Sequence, residues 1–210
     1  MEDIKQVFEQ KHKIGITIVY GGSDTLLSTI QQTRKGDIFI PGAAPYIKNA
    51  GALVVNDQYV ALHIPAFYVR IDNQNKIQSF EDLLRPGIKL AVGNKDMCAI
   101  GKVAGKIISG SGREADFAKN ITMTGSTVNE LLDLVIRENV DSSMVWSDMG
   151  SWPKARGLKM VEIPPAINKT EEIHVAVLTS TVDRKSAGLF ADFVAAEGRA
   201  IFTKHGFGEK

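Results

Sequence analysis

Three short stretches of the sequence place small or polar residues directly after a predicted strand and before a predicted helix. They are YGGSDT at 20–25, VGNKDMCAIGK at 92–102 and MTGSTV at 123–128. The first N–H groups of a helix have no intrahelical acceptor, and the helix dipole is positive at that end. Each turn can therefore bind an anion. Taken singly, Ser23, Ser126 or Thr127 is more often only a helix cap, because Ser and Thr are common N-cap residues.

Asp24 stands beside the serine of the first turn. An ionised carboxylate that faces the turn would repel an anion. At a helix N-terminus the same carboxylate can instead point outward, where it interacts favourably with the helix dipole. The direction of the Asp24 side chain is therefore a test of anion binding at this turn.

Motifs that carry catalysis or metal binding are absent from the sequence. It contains no GxSxG, HExxH, Walker A or GxGxxG motif, and its four histidines lack metal-ligand spacing. His63 and His174 fall in predicted strands, where a buried, hydrogen-bonded histidine is the default. Cys98 is the single cysteine, and such a residue is usually a small buried apolar one. These features favour binding over catalysis, with no enzyme activity, metal site or cofactor expected.

Composition and charge exclude several other classes. Hydrophobic residues make up 44% and charged residues 23% of the chain, and the net charge is +1. These values are typical of a globular protein and do not indicate nucleic-acid binding or a membrane surface. No apolar run approaches the roughly 20 residues of a membrane span. Residues 1–12 are too charged for a signal peptide, so we expect a cytosolic protein or a mature or trimmed form of an exported one.

Helical and extended patterns alternate along the chain, which predicts an α/β fold with mainly parallel sheets. The main predicted helices are 2–12, 23–34, 98–109, 112–119, 127–139 and 184–205, the last with a break at Gly198. The predicted strands are 16–20, 37–40, 59–71 with an interruption at Pro65, 89–93, 121–125, 142–146, 159–163 and 172–180. Thr127 and Glu130 form a capping-box pair at the start of one helix. A boundary at Pro65 and a return near 164–172 predict a central lobe inserted into an outer one.

Several stretches, in order, resemble a known family. YGGSDTLLSTIQQTRKGDIFIPGAAPYI is similar to the GSSGxLxxQIxxGxxADVFISAxxxxM stretch of ModA-type molybdate-binding proteins. IQSFEDLLRPGIKLAVGNKDMCAIGKVAGKI resembles the family's xxSLEDLxxPGVRxAxGxPxxxPAGxYAxxx. SSMVWSDM resembles GIVYxSDA, and FADFVAAEGRAIFTKHGF resembles FLDFLxSPEGQxIxxKYGF. The similarity covers nearly the whole chain.

The resemblance implies the two-lobed type 2 fold of periplasmic binding proteins, each lobe a mainly parallel sheet flanked by helices. The outer lobe would comprise 1–64 and 174–210, the inserted lobe 65–173, with the ligand in the cleft between them. It implies a periplasmic or extracytoplasmic subunit of an ABC importer that binds molybdate or tungstate and docks on the membrane permease. No nucleic-acid partner is implied.

The resemblance also implies the binding residues. Ser23, with Gly22 before it, would donate its hydroxyl and N–H to the anion. Ala99, Ile100 and Val128 would donate backbone N–H groups from the second lobe. Trp146 stands where the family usually has a tyrosine, and its indole has one N–H to donate. From the sequence alone, however, a partly buried aromatic is the commoner role for Trp146.

This chain also departs from the family pattern. The family begins with a strand and a serine loop that supplies another hydroxyl to the anion, whereas this sequence starts at the following helix. We therefore expect an N-terminal trimming or a partner that fills the gap. Asp24, Trp146 and the missing serine leave two alternatives open. One is a binding protein of the same fold for an organic acid or another solute, and the other is the sensor domain of a transcription regulator.

Overall fold

A computed structural model describes residues 1–73 and 77–210 of the chain. The chain divides into two compact units: unit 1 comprises Met1–His63 and Glu171–Lys210, and unit 2 comprises Ile64–Thr170. The sequence predicts these boundaries after residues 64 and 173. None of the described helices is long and apolar enough to cross a membrane.

The elements alternate as an α/β chain should. The helices are α1 (Glu2–His12), α2 (Ser23–Thr33), α3 (Pro45–Ala50), α4 (Ala99–Gly110), α5 (Glu114–Asn120), α6 (Val128–Ile136), α7 (Arg184–Ala195) and α8 (Glu197–Lys204). The strands are β1 (Ile38–Phe39), β2 (Val54–His63), β3 (Pro65–Arg70), β4 (Leu90–Gly93), β5 (Ile121–Gly125), β6 (Ser142–Trp146), β7 (Leu158–Glu162) and β8 (Glu171–Leu178). The predicted α/β class is confirmed.

The sheet of unit 1 has the order β1-β8-β2, and both of its pairings are antiparallel. The prediction of a mainly parallel sheet is therefore wrong for this unit. The chain leaves unit 1 through β2 and returns through β8, so these long neighbours run in opposite directions. One face of the sheet packs against helices, with Phe8 of α1 edge-on to Phe190 of α7 at 4.9 Å between ring centroids. Both rings are buried.

The sheet of unit 2 is mixed, with the order β5-β4-β6-β3-β7. β4 runs parallel to β5 and β6, whereas β3 runs antiparallel to β6 and β7. The prediction of a mainly parallel sheet is thus also wrong here. The parallel strands β4 and β5 are the ones that lead into the predicted turns at 92–102 and 123–128. Apolar side chains on α4 and α6, among them Val103, Ile107, Leu131 and Val135, are buried against this sheet.

The predicted strand at 16–20 is not formed. Among the residues that the structure describes, none pairs with this segment as a strand, and Val19 and Tyr20 are 73% and 65% exposed. Side chains of α1 hold it instead, because Glu9 accepts the Ile16 N–H at 2.6 Å and Glu2 accepts the Tyr20 hydroxyl at 2.9 Å. A β-branched run favours an extended backbone, but a strand also needs a partner for its N–H and C=O groups.

The break in the last helical segment lies at Ala196, not at Gly198. Ala196 separates α7 from α8 with φ −107° and ψ −87°. Gly198 is helical, and a Cβ there would lie 3.1 Å from Ile4 Cδ1 and 3.3 Å from the Phe193 carbonyl oxygen. The glycine therefore serves close packing of α8 against its neighbours.

Candidate functional site

The first turn presents Ser23 inside the helix rather than as its cap. Gly22 is the N-cap residue, with φ −63° and ψ 144°, and Ser23 is the first helical residue of α2. The cap role that is commonest for a serine is therefore wrong for Ser23. Its Oγ accepts the Gly42 N–H at 3.1 Å, across from the loop that follows β1. This bond uses a lone pair, so the hydroxyl proton can be donated elsewhere.

The helical hydrogen bonds of α2 begin with Leu26 N–H, which donates to the Gly22 carbonyl at 2.9 Å. The N–H groups of the first turn precede this bond and lie at the positive end of the helix dipole. The turn therefore offers neutral donors, a serine hydroxyl and helix N–H groups, to an anion.

Asp24 Oδ2 accepts the Tyr46 hydroxyl at 2.7 Å. The Tyr46 side chain is only 3% exposed and belongs to α3, and α3 follows the Gly42 loop. One oxygen of the carboxylate is therefore committed to a contact within unit 1. The contact ties the Asp24 side chain to α3, while the residue still lies next to Ser23.

His63 lies behind the Ser23 turn. Its Nδ1 is 3.0 Å from the Gly42 carbonyl oxygen, its side chain is 8% exposed, and its ring stacks on Phe207 at 5.3 Å. The expectation of a buried, hydrogen-bonded histidine is confirmed at this position. His174 is also bonded, to Asp57 at 2.5 Å and Glu172 at 3.0 Å, but its side chain is only partly buried.

The second turn joins β4 to α4. Cys98 is the N-cap residue in extended conformation, and its carbonyl accepts the Gly101 N–H at 3.1 Å. The N–H groups of Ala99 and Ile100 lie before this bond in the chain. N–H groups at this position of a helix have no acceptor within the helix and can donate to an anion. Ile100 as a whole residue is 0% exposed, and its side chain packs in the apolar core of unit 2. A Cβ on Gly93 would lie 2.6 Å from Gly101 N, and this close approach fixes the start of α4 against the end of β4.

The third turn joins β5 to α6, and Thr127 is the N-cap residue of that helix. Thr127 Oγ1 accepts the Glu130 N–H at 3.1 Å, and Glu130 Oε2 accepts the Ser126 N–H at 2.7 Å. The predicted bond between Thr127 and Glu130 is confirmed, but the Glu130 carboxylate returns to Ser126 and not to the Thr127 N–H. The Ser126 N–H is therefore occupied, whereas the Val128 N–H lies before the first helical bond, which Leu131 N–H donates to Thr127 O at 3.1 Å.

The fold of unit 2 brings its predicted donors to one edge of the sheet. Gly93 and Gly125 end neighbouring parallel strands in register, and Asn94 N–H donates to Gly125 O at 2.8 Å. Trp146 ends β6, the other parallel neighbour of β4, and is 4% exposed in the apolar core. Ala99, Ile100, Val128 and Trp146 thus follow or end three adjacent strands, while Gly22 and Ser23 belong to unit 1.

A family model for bacterial extracellular solute-binding proteins matches residues 1–208. The chain belongs to this family. A Haemophilus influenzae relative, described as a binding protein, is 29% identical over 99% of this chain and 85% of its own length. The molybdate-binding protein ModA of Mycobacterium tuberculosis is 26% identical over 92% of this chain and 74% of its own.

Solved structures show the same type 2 fold. A structure described as the substrate-binding domain of a molybdenum ABC transporter from Clostridium difficile matches with a TM-score of 0.80 and 20% identity, over 100% of this chain and 93% of that one. PEB3 of Campylobacter jejuni, solved with bound L-phospholactate, matches with a TM-score of 0.83 and 15% identity, over 100% and 94%. Within the described residues of this solute-binding protein, no cluster of His, Cys, Asp or Glu side chains could hold a metal ion.

Proposed function

We propose that this solute-binding protein captures a small tetrahedral oxyanion for an ABC importer, with molybdate or tungstate as the leading ligand. It would act outside the cytoplasm and deliver the anion to a membrane permease. Unit 1 would contribute Ser23 and the N–H groups that follow Gly22. Unit 2 would contribute the N–H groups of Ala99, Ile100 and Val128, with the Trp146 indole as a further donor.

The observation that carries this proposal is the Ser23 hydroxyl. The Gly42 N–H occupies a lone pair of Ser23 Oγ at 3.1 Å, and this fixes the oxygen while leaving its proton to donate. Together with helix N–H groups, such neutral dipoles can replace the water shell of an anion without a countercharge. The names of the ModA relatives and of the Clostridium difficile neighbour support molybdate as the first ligand to test.

A second candidate is a phosphorylated or carboxylated organic solute. PEB3, a neighbour of the same fold, is described with L-phospholactate bound. In this chain the Glu130 carboxylate already occupies the Ser126 N–H. Glu130 and Asp24 each place a carboxylate beside one of the turns. Such negative charges are less favourable for a compact dianion than for a larger solute that spreads its charge.

Calorimetric titration of ligand-free protein with molybdate, tungstate, sulfate, phosphate and phospholactate tests the proposal. We expect saturable binding of molybdate or tungstate. Preference for phospholactate would favour the second candidate, and binding of none of the five anions would contradict both.

The same titration on two serine variants tests the role of Ser23. Ser23→Ala removes the hydroxyl donor and should weaken anion binding about tenfold, which is the cost of one hydrogen bond to a charged group. Ser28→Ala, on an exposed position of the same helix, is the matched control and should bind as the wild type does. Equal affinities of the two variants would exclude Ser23 from the site.

A further inference from the structure

We propose that His63 is a positioning residue that orients the Ser23 hydroxyl for the anion. This inference rests on the proposed function of the Ser23 turn. His63 lies 40 positions from Ser23 in the sequence, and no sequence motif connects the two residues. The structure connects them through one glycine, because Gly42 bonds to His63 with its carbonyl and to Ser23 with its N–H.

The first step is the state of the imidazole. Nδ1 of His63 lies 3.0 Å from the Gly42 carbonyl oxygen, and a carbonyl oxygen can only accept. Nδ1 therefore carries a hydrogen and donates it. The bond to Gly42 sets the direction of Nδ1, and the ring is buried and stacks on Phe207 with 29° between the ring planes.

The second step is the conformation of the glycine. Gly42 has no side chain to limit its backbone angles, and a Cβ there would meet Ser23 Oγ and His63 Nδ1 only at ordinary contact distances of 3.7 Å. A glycine has a wider range of allowed backbone angles than any other residue, so contacts must select the native conformation of Gly42. The hydrogen bond from His63 selects the one in which the Gly42 N–H donates to Ser23 Oγ at 3.1 Å.

The third step is the serine. An N–H that occupies a lone pair of Oγ restricts where the hydroxyl proton can point, so less freedom is lost when the anion binds. Without His63, Gly42 would sample other conformations, and the hydroxyl could also turn to donate within its own helix. His63 thus contributes to affinity without any contact with the anion.

Calorimetry with molybdate, or with whichever of the five tested anions binds, tests this proposal. His63→Ala should weaken binding about fivefold to tenfold, as expected for a lost hydrogen bond. His63→Asn should remain within about threefold of the wild type, because its amide N–H can stand where Nδ1 stood and donate to Gly42 O. In a Ser23→Ala background, His63→Ala should cause no further loss, since the group that it orients is gone.

Phe207→Leu is the control for packing. It removes the stacked ring and keeps the imidazole, so it should lower the melting temperature of the ligand-free protein and leave affinity unchanged. If His63→Ala fails to fold, His63→Asn and His63→Gln carry the test, because only the asparagine amide reaches the Nδ1 position. The His63→Gln variant should then bind the anion about fivefold to tenfold more weakly than the His63→Asn variant.

The inference would be overturned if the folded His63→Ala variant, or both the Asn and the Gln variant, bound the anion with wild-type affinity. It would also be overturned if His63→Ala lowered affinity as much in the Ser23→Ala background as in the wild type. A loss of affinity in Phe207→Leu as large as that in His63→Ala would overturn it as well. In each case the wild type still binds, so the proposed function stands. A wild type that binds none of the five anions would overturn both.

Discussion

Asp24 brings a negative charge next to the hydroxyl that we assign to the anion. Its Oδ2 accepts the Tyr46 hydroxyl at 2.7 Å, and an asparagine carbonyl can accept the same bond. Asp24→Asn therefore removes the charge and keeps the contact. We expect dianion affinity to rise about threefold, the usual size of a partly exposed charge effect, when it is measured by calorimetry at low ionic strength.

Salt provides the control for this effect. The gain from Asp24→Asn should shrink as ionic strength rises, because screening weakens the repulsion in the wild type. A gain that is independent of salt, or an unchanged affinity at low salt, would show that the Asp24 carboxylate does not act on the ligand through its charge.

Tyr68 is a buried phenol whose ionisation the fold opposes. Its hydroxyl donates to the Ser147 carbonyl at 2.7 Å. Burial is the main cause that raises the pKa of Tyr68 to about 12, and the negative charge of Asp148 adds to it. An unfolded tyrosine has a pKa of about 10. Because the folded state holds this proton more tightly, its contribution to stability is complete below pH ~10 and is lost as pH rises toward ~12.

Tyr68→Phe tests this linkage. From pH ~10 to ~12 the wild type should lose on the order of 2 kcal/mol more unfolding free energy than the variant. Urea unfolding across this pH range measures the difference. In the folded proteins, tyrosinate absorbance should show that Tyr68→Phe has one fewer phenol that ionises above pH ~10 than the wild type has. Parallel pH profiles for the two proteins would mean that Tyr68 ionises at its ordinary pKa.

The role of an individual residue could be predicted from the sequence only where its contacts are local. Thr127 and Glu130 could be predicted as a capping pair because the contact spans three positions of one helix. For Ser23 the sequence favours the role of a cap, but Gly22 has that role, because a helix end can shift by one residue without changing the hydrophobic pattern. His63 could be expected to be buried and bonded. Its partner, the Gly42 carbonyl, depends on tertiary structure that no local pattern encodes.

The junction of β4 and α4 depends on the absence of a side chain at Gly101. A Cβ at this position would overlap the Asn94 carbonyl group. Gly101→Ala must therefore displace the start of α4, and overpacking of this kind costs about 1–3 kcal/mol. The same displacement should weaken anion binding, because it moves the N–H groups of Ala99 and Ile100.

Gly105→Ala is the matched control on the same helix. An added Cβ there has no neighbour within 4 Å, so the substitution should stabilise the protein by about 0.5–1 kcal/mol through helix propensity. Urea unfolding of both variants measures the contrast. A Gly101→Ala variant as stable as Gly105→Ala would contradict the close approach of helix and strand.

Elements could be predicted from the sequence where one local pattern is sufficient. The segments 2–12, 121–125 and 142–146 have the predicted type and bounds, because hydrophobic periodicity and β-branched runs are local properties. Strand direction is not local. The sheet of unit 1 is antiparallel because β8, which is distant in the sequence, runs opposite to both of its neighbours, β1 and β2. The run at 16–20 has the composition of a strand, but no described strand pairs with it.

The two units differ in how the chain builds them. Unit 2 is one continuous segment, Ile64–Thr170, with its own five-stranded sheet and apolar core. Unit 1 joins Met1–His63 to Glu171–Lys210, and its central strand β8 comes from the second piece. Because β8 pairs with both β1 and β2, the first piece alone contains no paired strands of this sheet.

This difference predicts opposite behaviour of two fragments. Residues 64–170 expressed alone should fold and unfold in one cooperative transition, because every strand pairing and most apolar burial of unit 2 lie within them. Residues 1–63 should remain unfolded. In this fragment the backbone N–H and C=O groups of β2 have no β8 to pair with, and the apolar faces of α1 and β2 have no β8 and α7 to pack against. Circular dichroism melts and amide dispersion in NMR spectra measure both outcomes. A non-cooperative 64–170 fragment would show that unit 2 needs the rest of the chain to fold, and a folded 1–63 fragment would show that unit 1 does not need β8.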